Sequence, residues 1–207
     1  LARLEAWRPT AVAIENLSGM QCDAMRRYPS RYAESVATYC YDPSAEGQAL
    51  GLDVPAANAE VERLLADWPA APTAAQRRRL AALFLAAGEP SSALVQWLRL
   101  PEGERQAQDD LTADMAAKLN QRMTRKNESS LLAAVLAARL GQERLWAVDD
   151  HTADFATRPE EEAAQAKAIM AAWDNPYVQA RKDMDQPLFE NLTQADGLLN
   201  VYRTYNT

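Results

Sequence analysis

TAVAI (10–14), closed by Glu15, and RLWAV (144–148), closed by Asp149, are the two stretches on which the fold of this chain turns. Each is a short apolar run bounded by proline or polar residues. That is the pattern of a strand covered on both faces, as in a parallel sheet with helices above and below. We expect strands over residues 11–15 and 144–148. Two strands cannot form a stable buried sheet alone. They therefore read as part of a larger mixed or parallel sheet, completed outside this sequence or by a partner.

Between the runs the pattern is helical. Val61, Leu64, Leu65 and Trp68 make one apolar stripe after Pro55. Thr73 and Gln76 form a capping-box pair before Leu80, Leu83, Phe84 and Ala87, and Gly88 closes that helix. Pro90 opens another with Leu94, Val95, Trp97 and Leu98. Leu111, Met115, Leu119 and Met123 recur every fourth residue. Asn127 caps a helix running through Leu132, Val135, Leu136 and Leu140, with Gly141 at the left-handed position after it. Beyond the second run, Thr157 and Glu160 frame a helix striped by Ala166, Ile169, Met170 and Trp173. A last amphipathic helix carries Leu198, Leu199, Tyr202 and Tyr205. Residues 73–100 look like a helical hairpin, but no second copy follows at a period near 34, which argues against a solenoid. The expected fold is a strongly helix-rich α/β domain over 1–207, with residues 42–140 as a long helical insertion between the strands.

The chain has 207 residues, a net charge of −7 and 25% charged residues. An acidic surface argues against nucleic acid as a partner, and no apolar run is long enough for a transmembrane segment. The two cysteines, Cys22 and Cys40, make no CxxC motif. They are either two small buried residues or one disulfide closing a loop of about 18 residues, which needs an oxidising compartment.

Few positions carry chemistry. Glu15 ends a strand, where the crevice of an α/β sheet opens, and could serve as general base or metal ligand. The alternative is an exposed strand end, or a carboxylate capping a helix near Asn16-Leu17-Ser18. Asp149-Asp150-His151 follows the second strand, and in extended chain Asp149 and His151 point to the same side. They could bind a divalent metal or run acid–base chemistry. The alternative is a capping aspartate pair beside a surface histidine. Arg77-Arg78-Arg79 and Glu160-Glu161-Glu162 read as solvated helix faces, and Trp68, Trp97, Trp146 and Trp173 as core. There is no GxGxxG, GxxxxGK[ST] or GxSxG motif.

WRPTAVAIE (7–15) resembles the strand and closing acid of a bacterial family of uncharacterised proteins grouped with the Tiki, TraB and erythromycin-esterase-like superfamily. LAARLGQERLWAVDDHTADF (136–155) is similar to the second landmark of that family, and LAALFLAAGEPSSALVQWLRLP (80–101) fits its interior. The resemblance implies an α/β fold with helical insertions. It also implies an active site made of a glutamate between two Gly-x-x-His motifs. Glu15 matches the glutamate, while Asp149 and His151 match the family's own landmark. Neither Gly-x-x-His is present, for His151 is preceded at −3 by Val148. The expectation is an internal fragment, incomplete at both ends and inactive by itself. Superfamily members include metal-dependent protease-like proteins, macrolide esterases and a haem-linked branch. They point to a hydrolase-like domain acting on a peptide or ester bond of a small-molecule or peptide substrate, with a divalent metal as the cofactor they allow. If the protein is bacterial, it is periplasmic, secreted or cytoplasmic. The competing class is a non-catalytic helical binding or scaffold protein. The hydrolase reading requires Glu15 and Asp149 at one end of the sheet.

Overall fold

A computed structural model describes residues 1–154 and 158–206. Thr157, expected at a helix start, lies outside the described residues. The chain divides into two compact units, residues 1–156 and 157–207. The first runs α1 (Ala2–Trp7), β1 (Ala13–Ile14), α2 (Gly19–Arg26), α3 (Pro29–Tyr39), α4 (Ser44–Leu50), α5 (Val54–Ala66), α6 (Ala74–Ala86), α7 (Pro90–Arg99), α8 (Ala113–Met123), α9 (Ala134–Arg139) and β2 (Trp146–Ala147). The second holds α10 (Pro159–Trp173), α11 (Pro176–Glu190) and α12 (Gly197–Tyr205). The fold is a helix-rich α/β one.

The two apolar runs are the two strands, and they pair in parallel, Ala13 opposite Trp146 and Ile14 opposite Ala147. No further strand joins them among the described residues. Both are shorter than the runs that form them, for identifiable reasons. After Ile14 the chain turns, and the Asn16 amide bonds back to the Ile14 carbonyl at 2.9 Å. Before Trp146, the Ser92 hydroxyl accepts from the Leu145 amide at 3.2 Å and donates to the Leu145 carbonyl at 3.1 Å. A side chain from α7 thus takes the place of a ladder partner.

The core is built on α6 and α7. The Thr73 hydroxyl accepts from the Gln76 amide at 3.2 Å, and the Gln76 side chain accepts from the Thr73 amide at 2.8 Å, the expected capping box. Leu80 through Ala87 are buried without interruption, as are Ala93 through Trp97. A helix apolar on every side is an interior helix. The Trp97 indole donates to Asn120 Oδ1 at 3.0 Å, so its one polar atom is satisfied. Gly88 adopts φ 77° and ends α6, with the Glu89 amide on the Phe84 carbonyl at 2.8 Å. Gly19 and Gly88 meet backbone to backbone. A Cβ on Gly19 would lie 1.7 Å from the Ala87 carbonyl oxygen, so α2 begins directly against the α6–α7 corner. Cys22 and Cys40 form a disulfide with Cα atoms 5.7 Å apart, tying α2 to the end of α3.

Several readings need correction. Arg77 and Arg78 are buried, not solvated, and only Arg79 is exposed. Interior packing of α6 turns them inward, and the cost is offset by partners. Arg77 donates to Gln96 and Glu143, and Arg78 to Glu104 and Asp109. Trp97 is core, but Trp68 is only half-buried and Trp146 and Trp173 are exposed. Trp146 is instead covered on one face by the Arg144 guanidinium, 4.3 Å from the ring centre. The stripe of α10 (Ala166, Ile169, Met170, Trp173) is exposed, and in α12 it is Gly197 and Val201 that are buried rather than Leu198, Leu199, Tyr202 and Tyr205. The helix expected after Asn127 opens with a π-helical turn over Ser129–Ala133 before α9. No helix among the described residues is long and apolar enough to cross a membrane.

Candidate functional site

The ladder continues past the strand ends. The Val148 amide donates to the Ile14 carbonyl at 3.1 Å and the Asp149 amide to the Asn16 carbonyl at 3.2 Å. Glu15 and Asp149 therefore leave the same, C-terminal end of the parallel pair. Glu15 is exposed, and its carboxylate makes no hydrogen bond or ion pair with a described residue.

His151 has a different setting. One ring nitrogen, Nδ1, faces Asp154 Oδ2 at 2.8 Å and the other, Nε2, faces Asp149 Oδ2 at 3.1 Å. Its ring lies 4.3 Å from that of Tyr39. The Asp154 hydrogen bond, then that of Asp149, hold the imidazole above its ordinary pKa of 6.5 against partial burial. Asp154 is held below the usual carboxylate range, first by the Ser35 hydroxyl at 2.6 Å and then by His151. Asp150 is lowered too, by the Thr152 amide and side chain, with Gln21 at 2.7 Å adding to it. Helix α3 fixes the loop from outside. Arg31 donates to the Asp154 and Thr152 carbonyls at 2.8 and 2.9 Å, and Tyr32 to Thr152 at 2.9 Å.

This geometry bears on the chemistry. When protonated, the His151 imidazole donates from both nitrogens to its two flanking carboxylates. It then has no lone pair for a metal or a substrate proton. Among the described residues no three His, Cys, Asp or Glu side chains are grouped to hold a metal ion. The donors Glu15, Asp149 and His151 do not fit a divalent cation as they stand.

Beside this loop, at the end of β1, opens a polar cleft of about 320 Å³. Asn16 and Leu17, the end of α3 with Tyr41 and Asp42, the start of α7 at Pro90 and Ser91, and Arg122, Arg125, Asn127 and Ser129 line it. A cleft at the carboxyl end of parallel strands is where ligands bind in α/β folds. The sequence reading did not single out Arg122 and Arg125. A signal was there: Lys118, Arg122, Arg125 and Lys126 follow one another at helical spacing in an acidic chain, with no acid interleaved on that face.

Comparison of the chain with protein-family models, curated proteins and solved structures returns no match.

Proposed function

We propose that the chain carries a hydrolase-like α/β domain in which Glu15 is the reacting carboxylate. The observation that carries this is the shared strand end. Glu15 leaves β1 at the end where Asp149 leaves β2, and its carboxylate is free to accept a proton from water attacking an ester or peptide bond. Asp149 and His151 act as positioning residues. Their clamp, with Asp154 and Ser35, fixes the loop that borders the reaction edge. The substrate is a small molecule or peptide. The Cys22–Cys40 bridge favours an oxidising compartment.

The test uses the chain, and any longer form in which it occurs, against chromogenic esters and fluorogenic peptides. Glu15→Gln should lower turnover by about 100-fold or more, the usual worth of a general base. His151→Gln should act more weakly and move the pH profile. Turnover unchanged in Glu15→Gln rules this reading out.

A second reading, a binding scaffold, draws support from the second unit, where Ile169, Met170 and Trp173 are exposed on one helix. It predicts that their replacement by serine abolishes a partner complex and leaves hydrolysis intact.

A further inference from the structure

Seven fewer positive than negative charges make a free cationic cleft unusual in this chain. Most arginines of the first unit are spent on carboxylates or carbonyls. Arg122 and Arg125 are not: neither guanidinium makes an ion pair or hydrogen bond with a described residue, and both residues line the polar cleft. Arg122 is partly buried and lies over the Tyr41 ring, 5.4 Å from its centre. Burial, with the like charge of Arg125, pushes its pKa below the ordinary arginine value against the opposing pull of Tyr41. The two like charges share the cleft with one carboxylate, and neither guanidinium pairs with it. The carboxylate in the cleft, Asp42, is already engaged by the Ser44 amide at 3.0 Å and hydroxyl at 2.5 Å.

The opposite wall is the start of α7, a ten-residue helix. Its first bonded amide is that of Ala93, on the Glu89 carbonyl at 3.1 Å. The Ser91 and Ser92 amides have no partner among the described residues, and Glu89 gives no cap because its carboxylate accepts from the Gly19 amide at 3.0 Å. Burial pushes the Glu89 carboxyl up, against the opposing bond from the Gly19 amide. A helix start with free amides carries partial positive charge. Ser91 supplies the second, independent observation. It is 6% exposed, lines the cleft, and its hydroxyl has no hydrogen-bond partner among the described residues. Asn127 adds another donor: its Oδ1 accepts from the Ser130 amide at 2.8 Å, which leaves its NH₂ unused.

We propose that this cleft binds the phosphate group of a small ligand, between the guanidiniums of Arg122 and Arg125 and the amide and hydroxyl of Ser91. Two planar forks supply charge and paired donors, and the helix start supplies fixed dipoles, the combination that suits a dianionic oxyanion better than a single carboxylate. The inference is independent of the role of Glu15, for no step of it uses that residue.

The experiment is calorimetric titration of the whole chain with inorganic phosphate, with acetate as the carboxylate arm. Phosphate should bind with a Kd on the order of 1 mM at low salt, as suits one small anion. Arg125→Gln should weaken it about tenfold or more, the value of a lost charge-assisted bond, and Ser91→Ala should weaken it less. Arg139→Gln, an arginine paired to Glu5 outside the cleft, should leave it unchanged. Arg125 is exposed, so its replacement does not endanger the fold. Melting of each unliganded variant confirms that. Absence of phosphate binding, equal binding by Arg125→Gln, or acetate binding as tightly as phosphate would each overturn the proposal.

Discussion

Arg77→Met and Arg79→Met, two changes in one arginine triplet, should differ several-fold in cost. Arg77 donates to Gln96 Oε1 at 2.8 Å and to Glu143 Oε2 at 2.9 Å. Methionine keeps much of the apolar stem and removes the charge. Glu143 would retain Arg99 at 2.6 Å and Gln96 Nε2 at 2.7 Å. Gln96 is 0% exposed, so its Oε1 would be left buried without a donor, at about 1–3 kcal/mol. The lost charge-assisted bond to Glu143 adds about 1.5–3 kcal/mol, partly the same energy counted twice. We expect a destabilisation of about 3 kcal/mol. Arg79 bonds Glu60 and Asp110 with its side chain 46% exposed, and its loss should cost under about 1 kcal/mol. Urea unfolding at pH 7, followed by far-UV circular dichroism, measures both. Acid gives a further check. Burial raises the Glu143 carboxyl, but Gln96, Arg77 and Arg99 outweigh it and hold it below its ordinary 4.5. A depressed carboxylate stabilises fully above its unfolded value and loses that as pH falls through its native one. The gap between wild type and Arg77→Met should therefore be complete at neutral pH and narrow below 4.5. If the two variants cost the same within about 0.5 kcal/mol, the buried network is not holding α6 to α7.

Gly19→Ala should destabilise by about 1–3 kcal/mol, since its Cβ meets a backbone oxygen that cannot swing aside, whereas Gly103→Ala, which meets nothing within 4 Å, should be neutral by the same unfolding assay. The paired change of Cys22 and Cys40 to serine should cost about 3 kcal/mol, from the entropy that an 18-residue loop regains on unfolding, with a matching loss when wild type is reduced. The imidazole of His151 should titrate above 6.5 by NMR and fall toward that value in Asp154→Asn. Being raised, its contribution to stability is complete below 6.5 and fades as pH rises through the native value, while that of Asp154 is complete above 3.8 and fades in acid.

The fold was legible where local chemistry decides it. Thr73 with Gln76, Gly88, Gly141 and the two apolar runs each act within a few residues, and each is found in its expected role. It was illegible where a distant residue decides. The strand at 144–148 is cut short by a serine 53 positions earlier, and no pattern inside the run records that. Arg77 and Arg78 read as surface because arginine on a helix normally is. What places them inside is that α6 packs on every side, which depends on α4, α5 and α7 together. Exposure on the stripe of α10 is the converse: an amphipathic pattern states which face wants a partner, not whether one is present.

The candidate site divides along the same line. That Glu15 and Asp149 share an edge follows from both ending parallel strands, and two strand ends suffice to infer it. For His151 the spacing in DDHTAD already contains both clamping carboxylates, Asp149 at −2 and Asp154 at +3. Taken alone that spacing resembles a ligand set open to a metal. The difference is made by α3, whose Arg31, Tyr32 and Ser35 bind the loop so that the carboxylates close on the ring instead of facing outward. The cleft lies further still from any local signal, because its walls come from the ends of β1, α3 and α8 and the start of α7. What the sequence does hold is an excess: basic residues at 118–126 with no acids on their face, in a chain where acids outnumber bases. Lys118 spends its charge on Glu46, but the guanidiniums of Arg122 and Arg125 have no such partner among the described residues, and unspent charge is stable only beside solvent or a ligand. For Arg122, partly buried in a cleft, solvent alone satisfies it poorly, which is why that cleft is the place to look for an anion.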